Sequence, residues 1–334
     1  MTLAGSSAKM ICYVITFHEA RFGPAPNGST SPVKISYRRH DGGRVEAGFL
    51  CLWHGLCGLA AGLLDGMMAE IQSHTAPNGR NGTPGAITLN NVTIAYAGHP
   101  AIHHVSGVFA PGSLTAVLGP NGAGKTSLLK SLAGLKRLTD GQIDFGGMRR
   151  NQIGYLPQAL EIDRSFPISV RDFVMLGAIG RVGLFRRIDE QAARSAEAAL
   201  AQVGLSGFER RGLSELSTGQ FQRVLFARVM VQDTPVILLD EPFNAVDTRT
   251  SDDLAKIIRH WHTLGRTVII VLHDHDFAAR LCPSTLIIAR EVLAWGPTQS
   301  VVTADILARA RSMAEAWDED AQLCNLAADR AGAA

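Results

Sequence analysis

Cysteine is scarce, net charge is nearly absent and no apolar run is long, and each shortage excludes a class of protein. The five cysteines, Cys12, Cys51, Cys57, Cys282 and Cys324, are odd in number and scattered, with no Cys-x-x-Cys pair. That usage excludes a disulfide framework and a zinc knuckle, and it fits a reducing compartment. The 32 Lys and Arg nearly cancel the 30 Asp and Glu, leaving a formal charge of +2. A surface so balanced is not built to neutralise nucleic-acid phosphates along its length, and no nucleic-acid partner is expected. The apolar segment at residues 10–17 lacks the basic lead and small-residue cleavage site of a secretory signal. A second, at residues 49–64, falls short of the roughly 20 apolar residues that span a bilayer. No internal repeat is visible, and 46% hydrophobic content is ample for a buried core.

Composition shifts near residue 75, where residues 74–85 carry Asn78-Gly79, Asn81-Gly82 and Pro84-Gly85, all turn or linker signals. Residues 1–84 are therefore expected to be a poorly defined N-terminal extension and linker. Within them, residues 1–74 show no sustained period of 2 or 3.6. A natural translation start at Met67 or Met68 would leave the stretch upstream outside the protein. Residues 85–298 form the expected main domain, and residues 299–334, rich in alanine, an expected helical tail. In the main domain, strands are expected over 87–96, 105–109, 114–118, 142–145, 153–156, 236–239, 267–272 and 285–289. Helices are expected over 125–135, ended by Lys136-Arg137, over 170–203 and over 221–231. Strands alternating with helices, a β-rich start and a helical insertion predict an α/β fold. The expected architecture is a mainly parallel sheet flanked by helices, with an antiparallel β subdomain and an α-helical subdomain over about residues 160–216, and the glycine-rich loop at residues 119–126 makes a P-loop NTPase core the expected class.

Gly119-Pro120-Asn121-Gly122-Ala123-Gly124-Lys125-Thr126 matches G-x-x-x-x-G-K-[ST], directly after an expected strand and before an expected helix. Its glycines let backbone N–H groups close round a β-phosphate, and the helix start adds its positive end to the same anion. Lys125 is placed to reach the β- and γ-phosphates of ATP, Thr126 to ligate Mg²⁺, and Ser127 completes the binding set. Downstream, Val236-Ile-Leu-Leu-Asp240-Glu241-Pro242 is an apolar strand ending in two acids. Asp240 is expected to hold Mg²⁺ through its water shell and Glu241 to take a proton from the attacking water.

Leu216-Ser217-Thr218-Gly219-Gln220 narrows the reading further, because it resembles the LSGGQ signature of the ABC ATPases and sits after the helical insertion and before Asp240. The resemblance implies that Ser217 and Gly219, with Gln220, contact ATP held by a second subunit, two ATPs lying between head-to-tail copies. Thr218 departs from the family's glycine and narrows the backbone options there. The same resemblance implies that Tyr96 stacks on adenine, although a lone tyrosine at a strand end is otherwise a packing residue. It implies that Gln158 senses Mg²⁺ and the attacking water and joins the core to the helical subdomain. Asn244-Ala-Val-Asp247 is similar to the D-loop, with Asp247 in the usual acid's place and Asn244 where serine is commoner. His273 is in the place of the switch histidine that holds the γ-phosphate.

His273-Asp-His275-Asp276 is not read as a metal cluster, since neighbouring side chains diverge on a strand-to-helix turn. His103-His104 is read as a surface pair on the β subdomain. The segments Asp163-Arg-Ser-Phe-Pro-Ile-Ser-Val170, Leu272-His-Asp and Ala294-Trp-Gly-Pro297 most resemble ATPases of bacterial zinc and manganese importers. This implies an ATPase peripheral to the cytoplasmic face of the inner membrane, partnered by an integral membrane permease, a second, identical ATPase subunit and indirectly a periplasmic substrate-binding protein. Phe166, Phe173 and Leu176 are candidates either for the permease groove or for subdomain core. A soluble ABC ATPase of DNA repair or ribosomes would bring a long coiled-coil insertion or tandem units, and neither fits. Intact Lys125, Asp240, Glu241 and His273 argue against an inactive regulatory module.

Overall fold

The computed structural model describes residues 34–38, 44–48, 85–96, 99–182 and 190–315. Residues 13–81 belong to one compact unit and residues 1–12 and 82–334 to another. In the first, β1 (Lys34–Arg38) and β2 (Arg44–Gly48) pair antiparallel. Each is a five-residue alternation, too brief to stand out as a sustained period. Residues 49–64 and both methionines, Met67 and Met68, lie outside the described residues.

The second unit is built on a sheet in the order β11-β10-β5-β9-β8-β7. Its strands are β5 (Leu114–Leu118), β7 (Ile153–Leu156), β8 (Val236–Asp240), β9 (Thr267–Val271), β10 (Ser284–Ala289) and β11 (Glu291–Pro297). All neighbours are parallel except the edge pair β10–β11. Every residue of β5, β8 and β9 is buried, as expected where helices cover both faces of a parallel sheet. A second sheet, β4-β3-β6, is antiparallel and made of β3 (Ile87–Tyr96), β4 (His99–Phe109) and β6 (Asp140–Asp144).

Three boundaries differ from expectation for identifiable reasons. β4 starts at His99 rather than 105, because a bulge hides its alternation: Asn91 (φ 52°) and His104 (φ 51°) both take left-handed backbone, and His104 Nδ1 lies 2.6 Å from Asn91 Oδ1. His103 and His104 are consequently half-buried rather than plain surface residues, with His103 Nδ1 3.8 Å from Glu291. Helix α1 (Lys125–Leu132) ends at Gly134 (φ 75°), not at the basic pair beyond it, as Leu135 N–H closes back on the Lys130 carbonyl at 2.7 Å. The pattern over 170–203 breaks into short pieces, notably α2 (Val170–Met175), capped by Ser169, and α3 (Glu190–Gln202).

Helix α4 (Thr218–Gln232) runs from this helical region into the core. Phe221 faces Phe173 at 6.2 Å, and Phe226 stacks on Trp261 of α5 (Thr248–Thr263) at 5.8 Å. Phe173 is thus core, whereas Phe166 is 47% exposed and Leu176 is half-buried. Helix α6 (His275–Leu281) is capped by Asp274, which accepts from Phe277 N–H at 2.9 Å, and α7 (Ala304–Glu315) buries Ala310 against β10 and β11. Burial pushes the Cys282 thiol up to about 12, which leaves it inert as a nucleophile. Among the described residues no helix is long and apolar enough to cross a membrane.

Candidate functional site

Four neighbouring strands, β5, β9, β8 and β7, end on the same side and deliver the four motifs side by side: the 119–126 loop, His273, the Asp240-Glu241 pair and Gln158. Sites in open α/β sheets form at these carboxyl ends. A cavity of about 370 Å³ opens there, walled by Ala101, residues 121–127, Gln158 and Glu241.

The loop keeps its shape through glycines that no other residue replaces. At Gly119 (φ 153°) a Cβ would run into the Ile288 carbonyl, and at Gly124 (φ 89°) into the Ala101 carbonyl and the Ile102 side chain. Gly124 is also the N-cap of α1, with no side chain bonded to the helix start and no acid in the first turn. The first-turn N–H groups, which have no intrahelical acceptor, are therefore left to an anion. Lys125 is 5% exposed; its Nζ donates to the Gly119 and Pro120 carbonyls, each at 2.8 Å. Burial lowers its pKa, opposed by the nearby charges of Glu241 and Asp240. An incoming phosphate would supply the same ammonium with charged acceptors.

Thr126, Gln158 and Asp240 come together although far apart in sequence. The Thr126 hydroxyl donates to Asp240 Oδ1 at 3.1 Å and accepts from Gln158 Nε2 at 3.2 Å. A hydroxyl, a carboxylate and a carboxamide form the oxygen donor set that a hard divalent cation takes. Asp240 is fully buried, and desolvation pushes its pKa up to about 6, against the lowering effect of the Thr126 and Tyr155 hydroxyls. A group held this way stabilises the fold fully below about pH 4, and that stability is lost as pH rises through about 6. Asp240→Asn is expected to raise the nucleotide-free melting temperature at pH 7.5 by a few degrees, corresponding to at most about 3 kcal/mol. Melts of both proteins at pH 7.5 and pH 4 check this: the advantage should vanish at the lower pH.

Glu241 leaves the end of β8 in a left-handed conformation (φ 49°). Its Oε1 lies 2.6 Å from His273 Nε2, and its Oε2 accepts from Asn244 Nδ2 at 3.3 Å. His273 therefore meets the carboxylate directly. Tyr96 sends its hydroxyl to within 3.2 Å of Ser127 Oγ at the start of α1, and Lys136 Nζ sits 3.5 Å above its ring. Tyr96 is 47% exposed and so lies outside the buried core.

The signature segment stands apart. Ser217, Gly219, Gln220 and Asp247 contribute nothing to the cavity wall. Ser217 is the N-cap of α4: its Oγ accepts from Gln220 N–H at 3.2 Å, and Gln220 Oε1 accepts from Ser217 N–H at 3.0 Å. This capping box uses the hydroxyl as acceptor on an exposed residue. Thr218 is the first helical residue and takes no left-handed backbone, so the departure from glycine causes no strain here. Asp247 caps α5 by accepting from Thr250 N–H at 2.9 Å and lies beside Gly219.

Sequence reasoning missed two residues. Tyr155 donates its hydroxyl to Asp240 Oδ2 at 3.3 Å from the adjacent strand, where Tyr155 pairs with Leu238. A lone tyrosine in a half-buried strand was the available signal, since a hydroxyl turned inward needs a partner. Arg164 donates to the carbonyls of Leu213 and Leu216, immediately before Ser217, and lies 4.9 Å over the Phe221 ring. It ties the start of the signature segment to the loop after Gln158.

A P-loop, a strand-end acid pair, a glutamine and a histidine on one sheet edge, with a second helix start held apart, define an ATPase of the P-loop class. Comparison with known proteins narrows the class. Residues 102–244 match the family model described as ABC transporter. The manganese transport system ATP-binding protein MntB of Bacillus subtilis (strain 168) is 36% identical over 225 residues, 66% of this chain and 90% of that protein. The zinc transport system ATP-binding protein TroB of Treponema pallidum (strain Nichols) is 34% identical over 247 residues, 73% of this chain and 90% of that protein. A solved ABC transporter described as of metal-chelate type, in an inward-facing conformation, superposes with a TM-score of 0.61 at 26% identity, covering 68% of this chain and 89% of that one. This chain belongs to the ABC transporter family and is one of its ATP-binding, ATP-hydrolysing subunits.

Proposed function

We propose that two copies of this chain close head to tail on two ATP molecules and that hydrolysis energises import of a divalent metal ion, manganese or zinc, through a membrane permease. The observation that carries the ATPase part is the convergence of Lys125, Thr126, Gln158, Asp240, Glu241 and His273 at the carboxyl ends of neighbouring strands, at or beside one cavity, while Ser217 caps an exposed helix start elsewhere. One copy holds the phosphates; a second copy's Ser217, Gly219 and Gln220, with Asp247 beside them, would finish the enclosure. The metal rests on the names of relatives, which are manganese and zinc transport ATP-binding proteins.

In this reading residues 119–127 wrap the triphosphate and Tyr96 stacks on the base. Thr126 and Asp240, with Gln158 nearby, would hold Mg²⁺, whose chemistry is to draw charge from the β- and γ-phosphate oxygens. Glu241 takes the proton of the attacking water, and His273 holds Glu241 and the γ-phosphate in line. The exposed apolar pair Leu160 and Phe166, after Gln158, suits contact with a permease helix at the cytoplasmic membrane face. A periplasmic binding protein would deliver the metal.

Uptake of manganese and of zinc is to be measured in host cells carrying the wild-type chain or Glu241→Gln at its native locus. Loss of uptake of one metal in the variant supports the proposal. Undiminished uptake of both, with another solute lost instead, removes the metal from the reading and leaves the ATPase.

A further inference from the structure

Glu241 would be a poor base if its side chain wandered, since three rotatable bonds separate its carboxylate from the backbone and proton transfer needs a fixed distance to water. Two side chains restrain it, one per oxygen: His273 at Oε1, 2.6 Å, and Asn244 at Oε2, 3.3 Å. Asn244 is brought there by the backbone. Glu241 (φ 49°) and Ala245 (φ 55°) both sit in left-handed conformations, and the Asn244 N–H closes a turn on the Glu241 carbonyl at 3.2 Å. Non-glycine residues hold such conformations only where the surroundings impose them, and they concentrate at functional sites. Each carboxylate oxygen has two lone pairs, so both restraints leave room for a water. Lys125 and Asp240 are also close enough for its charge to act on them, and among the described residues their hydrogen bonds go to the loop carbonyls and to the Thr126 and Tyr155 hydroxyls.

We infer that Asn244 is a positioning residue for hydrolysis: its side-chain amide fixes the second oxygen of Glu241 so that His273 and Asn244 together aim the carboxylate. The inference rests on Glu241 acting as the base. Serine, the commoner residue in this place, has a shorter donor; the longer asparagine reaches the carboxylate from an exposed turn. The role depends on donation, not on size, so it separates from a structural role by chemistry.

The test uses the full chain with Mg·ATP. Asn244→Ala is expected to lower kcat by about tenfold with KM for ATP within about twofold, and Asn244→Asp, equal in size but presenting an acceptor to an acceptor, by more than Asn244→Ala. Asn244→Ser, which keeps a donor, should recover part of the rate. Single-turnover rates then complete a cycle with Glu241→Ala: in that background Asn244→Ala should change the residual rate less than twofold. Equal kcat for Asn244→Ala, Asn244→Asp and wild type, or an undiminished effect of Asn244→Ala without Glu241, overturns the inference while leaving the base in place. Rapid turnover by Glu241→Ala itself would remove the base, and with it any role for Asn244 in aiming one.

Discussion

Glu241→Gln is expected to abolish turnover, by about a hundredfold or more, while ATP remains bound and the protein runs at twice its mass. Glutamine has the shape of glutamate, so the left-handed turn survives. It cannot accept a proton from water. One of its two terminal atoms must also be an NH₂: facing Asn244 Nδ2 it sets donor against donor, and facing His273 Nε2 it requires the tautomer whose Nε2 carries no proton, where the wild type has carboxylate oxygens at 3.3 and 2.6 Å. Removing a negative charge beside the triphosphate should tighten binding rather than weaken it. Single-turnover hydrolysis and gel filtration with Mg·ATP are the two measurements. Hydrolysis at the wild-type rate would exclude Glu241 as the base, whatever the mass observed.

The opposite phenotype belongs to Lys125→Ala, for which ATP affinity should fall by roughly ten- to a hundredfold with the fold intact. The ammonium is buried, and its two loop carbonyl partners hold it at the floor of the loop. Truncation removes the buried cation that would meet the β- and γ-phosphates, and the first-turn amides of α1 do not replace a full charge. Lys125→Arg should not rescue, because a planar guanidinium does not fit where a compact ammonium meets two carbonyls only one residue apart. Equilibrium nucleotide binding with a fluorescent ATP analogue, alongside far-ultraviolet circular dichroism, separates lost affinity from lost structure. Unchanged affinity in Lys125→Ala would remove the loop from phosphate recognition.

Most of what positions the site was legible in the sequence because the motifs sit on fully buried strands. Leu114–Leu118, Val236–Asp240 and Thr267–Val271 are largely apolar runs of the kind that a parallel sheet covered on both faces accommodates, and each ends at or within two residues of a functional residue. The pairing of Thr126 with Asp240 follows once those strands are placed. What escaped was set by backbone conformations that side-chain patterns do not encode. The left-handed Asn91 and His104 break the alternation that would have announced β4, and the left-handed Glu241 brings Asn244 back onto its own carboxylate. Arg164 escaped for another reason: its acceptors are main-chain carbonyls at 213 and 216, distant in sequence and invisible to any residue pattern.

The sheet and the loop after Gln158 differ sharply in burial. Strands packed to crystal density transmit strain and scarcely yield. Gln158, by contrast, touches Thr126 at one end and leads at the other into a 3-10 turn whose Leu160 is 89% exposed. A change in what Thr126 holds is therefore expected to be felt first along Gln158 and the turn beyond it, which Lys130 ties back through Glu161 at 2.6 Å, rather than within the slab.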